Sequence, residues 1–206
     1  MKPKSKIGIY AGAFDPVHAG HIAFALEAME RAQLDKLYFL PERRPRHKTG
    51  VAHFGHRVAM LKRATDPYPA FGVLELEDTS FSVEQTFPRL RKCFQEYQLF
   101  LLAGSDIAKR LIDWPGAQHL LANVGLVVGV RNKDDPRAVA KEINMWPFQP
   151  QTLMIFPSHA PQVSSSQIRN AIRQRQSITG ALASVERYSN QNWLYVDLPR
   201  SDVDKP

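Results

Sequence analysis

The residues best suited to chemistry in this chain are two histidines three positions apart. His18 and His21 close the segment Ala11–Gly12–Ala13–Phe14–Asp15–Pro16–Val17–His18–Ala19–Gly20–His21, which leads from a strand-like stretch into a helix-like one. Side chains at i and i+3 of a helix face the same way. Two imidazoles so placed can donate hydrogen bonds to phosphate oxygens as negative charge shifts during a transfer reaction. Backbone N–H groups and the positive end of the helix dipole favour an anion at such a junction. Gly12 lets a ligand approach the backbone closely, and Gly20 leaves space beside the helix for a phosphate. The same residues also suit an ordinary helix start with two surface histidines. A zinc pair is a third reading, but the spacing is not H-E-x-x-H and no third ligand stands out. The chain has neither G-x-x-x-x-G-K-[ST] nor G-x-G-x-x-G, so it carries no P-loop and no dinucleotide fingerprint.

Other groups bear the same chemistry. Ser164, Ser165 and Ser166 open a helical stretch with Arg169 one turn on. Serine hydroxyls and free N–H groups at a helix start cradle anions, and arginine presents a planar fork to phosphate oxygens. A plain helix cap is the competing reading. Arg43, Arg44, Arg46 and Lys48 form a dense basic loop, in which Arg43 and Arg44 read as solvated. Gly104 and Asp106 end a wholly apolar run, where Asp106 is either a ligand contact or an acid at a helix N-terminus. Trp114 either stacks on a ligand ring or fills the core.

The elements that must position these groups alternate. Lys6 to Tyr10, Leu37 to Leu40, Phe71 to Leu76, Leu99 to Ala103, Gly125 to Val130 and Thr152 to Phe156 read as strands. Between them, 21–33, 56–64, 83–96, a helix begun at 104–106, 134–145 and 164–175 have helical spacing, with Ile22, Ala25, Leu26 and Met29 as the apolar stripe of the first. A short helix follows Ala181. Alternation of this kind predicts a doubly wound, mostly parallel α/β sheet with right-handed crossovers, which binds ligands at the carboxyl ends of its strands. The reading is one domain over 1–206, with a helical appendage from about 176.

Composition narrows the function. The hydrophobic fraction of 44% supports a packed core rather than a disordered chain. No apolar run reaches the roughly 20 residues of a membrane helix, and the basic start lacks the pattern of a signal peptide. Cys93 is the single cysteine, so neither an internal disulfide nor a cysteine zinc cluster forms; the cytoplasm is the expected compartment. The net charge of +7, with a pI near 9.6, attracts polyanions. The charge is clustered in loops, with no basic helix, aromatic RNA-binding motif or finger, which favours a phosphate-rich small ligand over nucleic acid.

Taken together, the motifs resemble a known family. The loop at 11–21 resembles the G-G-[TS]-F-D-P-x-H-x-G-H signature of the HxGH nucleotidyltransferase superfamily. Pro45–Arg46–His47–Lys48, His56–Arg57–Val58–Ala59–Met60–Leu61, Gly104–Ser105–Asp106 with Trp114, and Val163–Ser164–Ser165–Ser166–Gln167–Ile168–Arg169 are similar, in order, to motifs of bacterial nicotinate-mononucleotide adenylyltransferases. The resemblance spans roughly residues 6 to 175. It implies a Rossmann-like fold and transfer of AMP from ATP, carried with Mg²⁺, to a nicotinate or nicotinamide mononucleotide in NAD biosynthesis. It also implies that His18, His21, Lys48 and Arg169 are catalytic. ATP would be bound by Gly12, Ala13, Phe14, His18, Gly20, His21, Ser164, Ser165 and Arg169, and the acceptor by Lys48, Gln85, Gly104, Asp106 and Trp114. No resident metal site, nucleic acid or membrane partner is implied, and the oligomeric state is left open. Ala11 and Ala13 replace a glycine and a hydroxyl residue of the signature, Gln85 stands where the family has threonine, and Pro115 lacks a backbone N–H. These departures keep two rivals in view: the same chemistry on another phosphorylated acceptor, and a nucleotide-binding regulator without turnover.

Overall fold

In β1 (Lys6–Gly12) the alternation of the sequence becomes architecture. Ile7 and Ile9 point into one helical layer and Tyr10 into the other, as the two-residue period of a strand requires. The computed structural model describes residues 4–46, 48–130, 134–161, 163–177 and 179–196. His47 of the basic loop lies outside these. β2 (Lys36–Pro41), β3 (Phe71–Val73), β4 (Gln98–Gly104), β5 (Gly125–Val130) and β6 (Thr152–Pro157) complete a six-stranded sheet. Every pairing is parallel, in the order β3-β2-β1-β4-β5-β6. Ile9 pairs with Tyr38 on one side and Leu101 on the other, so β1 and β4 lie at the centre, where strand order reverses.

Helices cover both faces, which is why β4 and β5 read as unbroken apolar runs. On one face Ile9, Leu101 and Val128 pack against Phe87 and Leu90 of α3 (Thr86–Cys93), Ala108 of α4 (Ser105–Ala108), Leu120 of α5 (Ala117–Leu121) and Ile143 of α6 (Pro136–Asn144). On the other, Phe39, Phe100 and Val127 meet Phe24 and Ala28 of α1 (Ala19–Ala32), Met60 and Leu61 of α2 (Phe54–Thr65), and Val185 of α8 (Ala183–Gln191). The remaining helix, α7 (Ser165–Arg173), buries Ile168 and Ile172 in a small cluster of its own.

The expected elements are present with revised ends. α1 buries Phe24 and Ala28, and Leu26 points out, 41% exposed. α3 begins at Thr86 rather than 83, because Ser82 first closes a turn by accepting the Thr86 N–H. β3 stops at Val73 on the sheet edge. The helix expected from 104 lasts only to Ala108, and a 3-10 turn at Leu111–Asp113 and α5 follow it.

Candidate active site

A cavity of about 490 Å³ opens at the carboxyl ends of β1 and β4, the size of a small-molecule site. Its wall includes Gly12, Ala13, Phe14, His21, Lys48, Gly104, Asp106, Trp114 and Ser165. Gly129 of β5 also borders it: a Cβ there would come within 2.3 Å of the Phe24 ring.

The loop from β1 to α1 forms the floor. Phe14 holds a left-handed φ of 49°, costing about 1–3 kcal/mol for a non-glycine residue. Tyr10, His21 and Phe39 surround its ring at centroid distances of 5.3, 5.1 and 5.5 Å, which offsets that cost by burial. The chain then passes a cis Asp15–Pro16 bond into His18, which caps α1. His18 is 2% exposed and lies behind His21, with ring centroids 3.7 Å apart. The His18 N–H donates to His21 Nδ1 at 3.2 Å. That contact makes Nδ1 the acceptor, so the neutral His21 ring carries its proton on Nε2. A donor of that kind on the cavity wall suits a phosphate oxygen.

Gly20 has a different role from the one expected. A Cβ there would lie 2.9 Å from the Pro161 carbonyl oxygen and 3.1 Å from the His18 ring. Gly20 makes room for the loop after β6, and it does not line the cavity. Glu27 of α1 holds the same loop, accepting from the Ser158 hydroxyl at 2.7 Å and the His159 N–H at 2.8 Å.

That loop delivers α7 to the floor. Ser165 Oγ donates to the Pro16 carbonyl at 2.9 Å, and Arg169 Nη1 donates to the Asp15 carbonyl at 2.7 Å. The helix start and the histidine loop therefore meet, 149 and 154 residues apart in sequence. Ser164 is exposed, caps α7 through the Gln167 N–H, and stands off the cavity wall, as does Arg169.

Beneath the site lies Arg57 of α2, fully buried. Its guanidinium donates to the carbonyls of Ala13 at 2.6 Å, Glu42 at 2.7 Å, Arg43 at 3.0 Å and Ala52 at 2.9 Å. It thus ties the basic loop to the histidine loop. Burial pushes its pKa down from the ordinary value, and the Asp15 carboxylate opposes this most strongly. Asp15 is itself 2% exposed: Oδ1 accepts from the Ala52 N–H at 3.1 Å and the Tyr195 hydroxyl at 2.7 Å, and Oδ2 lies 3.7 Å from Arg169 Nη1.

On the opposite wall, Phe81 and Trp114 present two rings with centroids 5.8 Å apart. Glu42 accepts the Phe81 N–H at 2.9 Å and Arg46 donates to the Phe81 carbonyl at 2.8 Å, holding the backbone that carries that ring from both sides. Two expectations need correction here. Gln85 is exposed at the start of α3 and off the wall, because the turn at Ser82 directs it outward; its own N–H donates to Ser82 Oγ. Arg43 is not merely solvated: it stacks 4.3 Å from the Phe54 ring centroid and donates to the Leu76 carbonyl.

Sequence reasoning gave no role to Arg57, Asp15, Glu42 or Tyr195. Asp15 and Arg57 sit inside quoted motifs, which was the signal available. Glu42 and Tyr195 have no local signal, since their partners are remote. Among the described residues no group of three or more His, Cys, Asp or Glu could hold a metal ion, and no helix is long and apolar enough to cross a membrane.

A doubly wound parallel sheet with a cavity at its switch point defines the Rossmann-like class of α/β proteins. The cytidylyltransferase-like family model matches residues 9–171, and the chain belongs to that family of nucleotidyltransferases. It is 33% identical over 197 residues to a Dictyoglomus thermophilum protein named "probable nicotinate-nucleotide adenylyltransferase", covering 93% of this chain and 100% of that one. A Coprothermobacter proteolyticus protein of the same name is 36% identical over 204 residues, covering 95% and 98%. Among solved structures, the Plasmodium falciparum nicotinic acid mononucleotide adenylyltransferase complexed with APC superposes with a TM-score of 0.74 at 17% identity, over 93% of this chain and 97% of that one.

Proposed function

We propose that the protein transfers AMP from ATP to the phosphate of a pyridine mononucleotide, nicotinate or nicotinamide, releasing pyrophosphate and making the dinucleotide of NAD biosynthesis. The observation that carries this reading is the meeting on one loop of two groups whose chemistry suits phosphate. His21 borders the cavity on one side, and Ser165 with Arg169 seats against Asp15 and Pro16 on the other. ATP lies over the β1–α1 loop, its triphosphate between His21 and the start of α7, with Arg169 and Lys48 offsetting its charge. The acceptor ring lies toward Phe81 and Trp114, which places its phosphate for in-line attack on the α-phosphorus. No covalent enzyme intermediate is needed; orientation and fixed donors supply the rate. His21 Nε2–H donates to the oxygen on which charge builds, with the buried His18 stacked behind it to hold its ring.

Asp106, on a wall that also carries Glu42, Arg46, Lys48 and Arg110, fits a Mg²⁺ brought by the triphosphate rather than a resident ion. When bound, it neutralises phosphate charge. An ATP co-substrate and a single, exposed cysteine, Cys93, fit the cytoplasm as the compartment.

The test is incubation with ATP, Mg²⁺ and each mononucleotide, with pyrophosphate and dinucleotide measured. Product with either supports the reading, and no product with both rejects this acceptor class. The outward Gln85 and Pro115 favour one second reading, the same transfer onto another phosphate monoester, which a screen of such acceptors with ATP and CTP separates.

A further inference from the structure

The last described segment of the chain reaches back to the histidine loop. α8 docks on α2, with His56 Nδ1 3.0 Å from the Tyr188 hydroxyl and Ser189 Oγ 3.4 Å from Met60 Sδ. Beyond α8, Trp193 and Tyr195 adopt left-handed φ values of 53° and 64°. Non-glycine residues keep such a conformation only where their surroundings impose it. The two turns bring the Tyr195 hydroxyl to Asp15 Oδ1 at 2.7 Å, across 180 residues of sequence. Burial, and then the charge of Asp15, raise the phenol pKa above its ordinary value, so the hydroxyl remains a donor.

Asp15 gives this contact its reach. It is 2% exposed, and its carboxylate gathers the Ala52 N–H from the basic loop and the Tyr195 hydroxyl, with Arg169 Nη1 3.7 Å away. Arg169 meanwhile donates to the Asp15 carbonyl. We infer that Tyr195 is a positioning residue for adenylyl transfer: its hydroxyl satisfies Asp15 and so keeps Arg169 available to the triphosphate. The inference rests on the function proposed above. Without the hydroxyl, Asp15 loses the shorter of its two Oδ1 donors. Arg169, which already pairs with Oδ2 at 3.7 Å, then closes further onto the carboxylate, and the loop moves with it.

Tyr195→Phe tests this against Tyr188→Phe, which deletes a hydroxyl from the same tail but touches only α2. Tyr195→Phe is expected to raise the KM for ATP and lower kcat/KM for ATP about tenfold, the worth of one charge-assisted hydrogen bond, with the acceptor KM unchanged. Tyr188→Phe leaves both within about twofold, since it removes no contact at the site. Equal kinetic losses in the two variants, tracking their thermal stability, would reduce Tyr195 to tail docking and overturn the inference. So would wild-type ATP kinetics in Tyr195→Phe. Asp15→Asn approaches the contact from the other side: with no carboxylate left to draw Arg169, adding Tyr195→Phe to it costs nothing further in ATP kinetics, whereas additive losses refute the coupling. If the unmodified protein makes no dinucleotide from either mononucleotide, the proposed reaction fails on its own. The tether is then read from ATP affinity by calorimetry, weaker in Tyr195→Phe than in Tyr188→Phe; equal affinities overturn it.

Discussion

Replacing Arg57 by methionine keeps most of the volume and removes every donor from a point where three chain segments meet. The guanidinium is fully buried and serves four backbone carbonyls, those of Ala13, Glu42, Arg43 and Ala52. A buried acceptor stripped of its donor costs about 1–3 kcal/mol, and four such losses overlap because the loops relax together. Breaking a buried charged network costs about 3–5 kcal/mol, so we expect a loss of about 4 kcal/mol. At about 2–4 °C per kcal/mol for a chain of this size, the midpoint falls by about 8–16 °C. A total stability of about 5–15 kcal/mol leaves about 1–11 kcal/mol, so the variant still folds at 25 °C. Arg57→Lys is expected to lose about 2 kcal/mol, because an ammonium has three donors and no planar span. The assay is urea unfolding, comparing midpoints at constant m-value, with kinetics measured where each variant is folded. A loss under about 1 kcal/mol in Arg57→Met would refute the packing argument. Full loss of stability with unchanged kcat/KM in the folded fraction would show that this knot does not position the site.

Three further outcomes follow from the same geometry. Gly20→Ala forces a methyl against the Pro161 carbonyl, moves the loop leading to Ser165 and Arg169, and lowers kcat/KM about tenfold for a displacement of about half an ångström; wild-type turnover in a steady-state assay would refute this. His21→Asn keeps an acceptor near Nδ1 for the His18 N–H and deletes the Nε2 donor, so kcat falls about 10²–10³-fold while the thermal midpoint holds; equal activity in the two proteins would remove His21 from the chemistry. Asp134 titrates below its ordinary 3.8, because hydrogen bonds from Ser105 and then Lys109 favour its charged form. With the folded value depressed, its contribution is present above the unfolded value and is lost as pH falls through the folded one. Ser105→Ala shifts its NMR carboxyl titration back up, and an unmoved titration would refute the assignment.

The sequence by itself determined the sheet, the helices between its strands and the loop that carries His18 and His21. Apolar periodicity reports which face of an element is buried, and a Gly- and His-rich segment between strand and helix stands out in the sequence as a candidate anion site. Only the tertiary structure decided which distant polar atoms meet. Periodicity holds no record that Arg169 and Tyr195 end on Asp15, that Arg57 spans two loops, or that Pro161 occupies the space beside Gly20. Periodicity placed Leu26 in the core and the family resemblance placed Gln85 in the site, and packing turned both outward. The reason is physical. A buried backbone carbonyl or carboxylate must find a donor, and which donor reaches it depends on loop paths set by the whole fold, over separations of 44 to 180 residues.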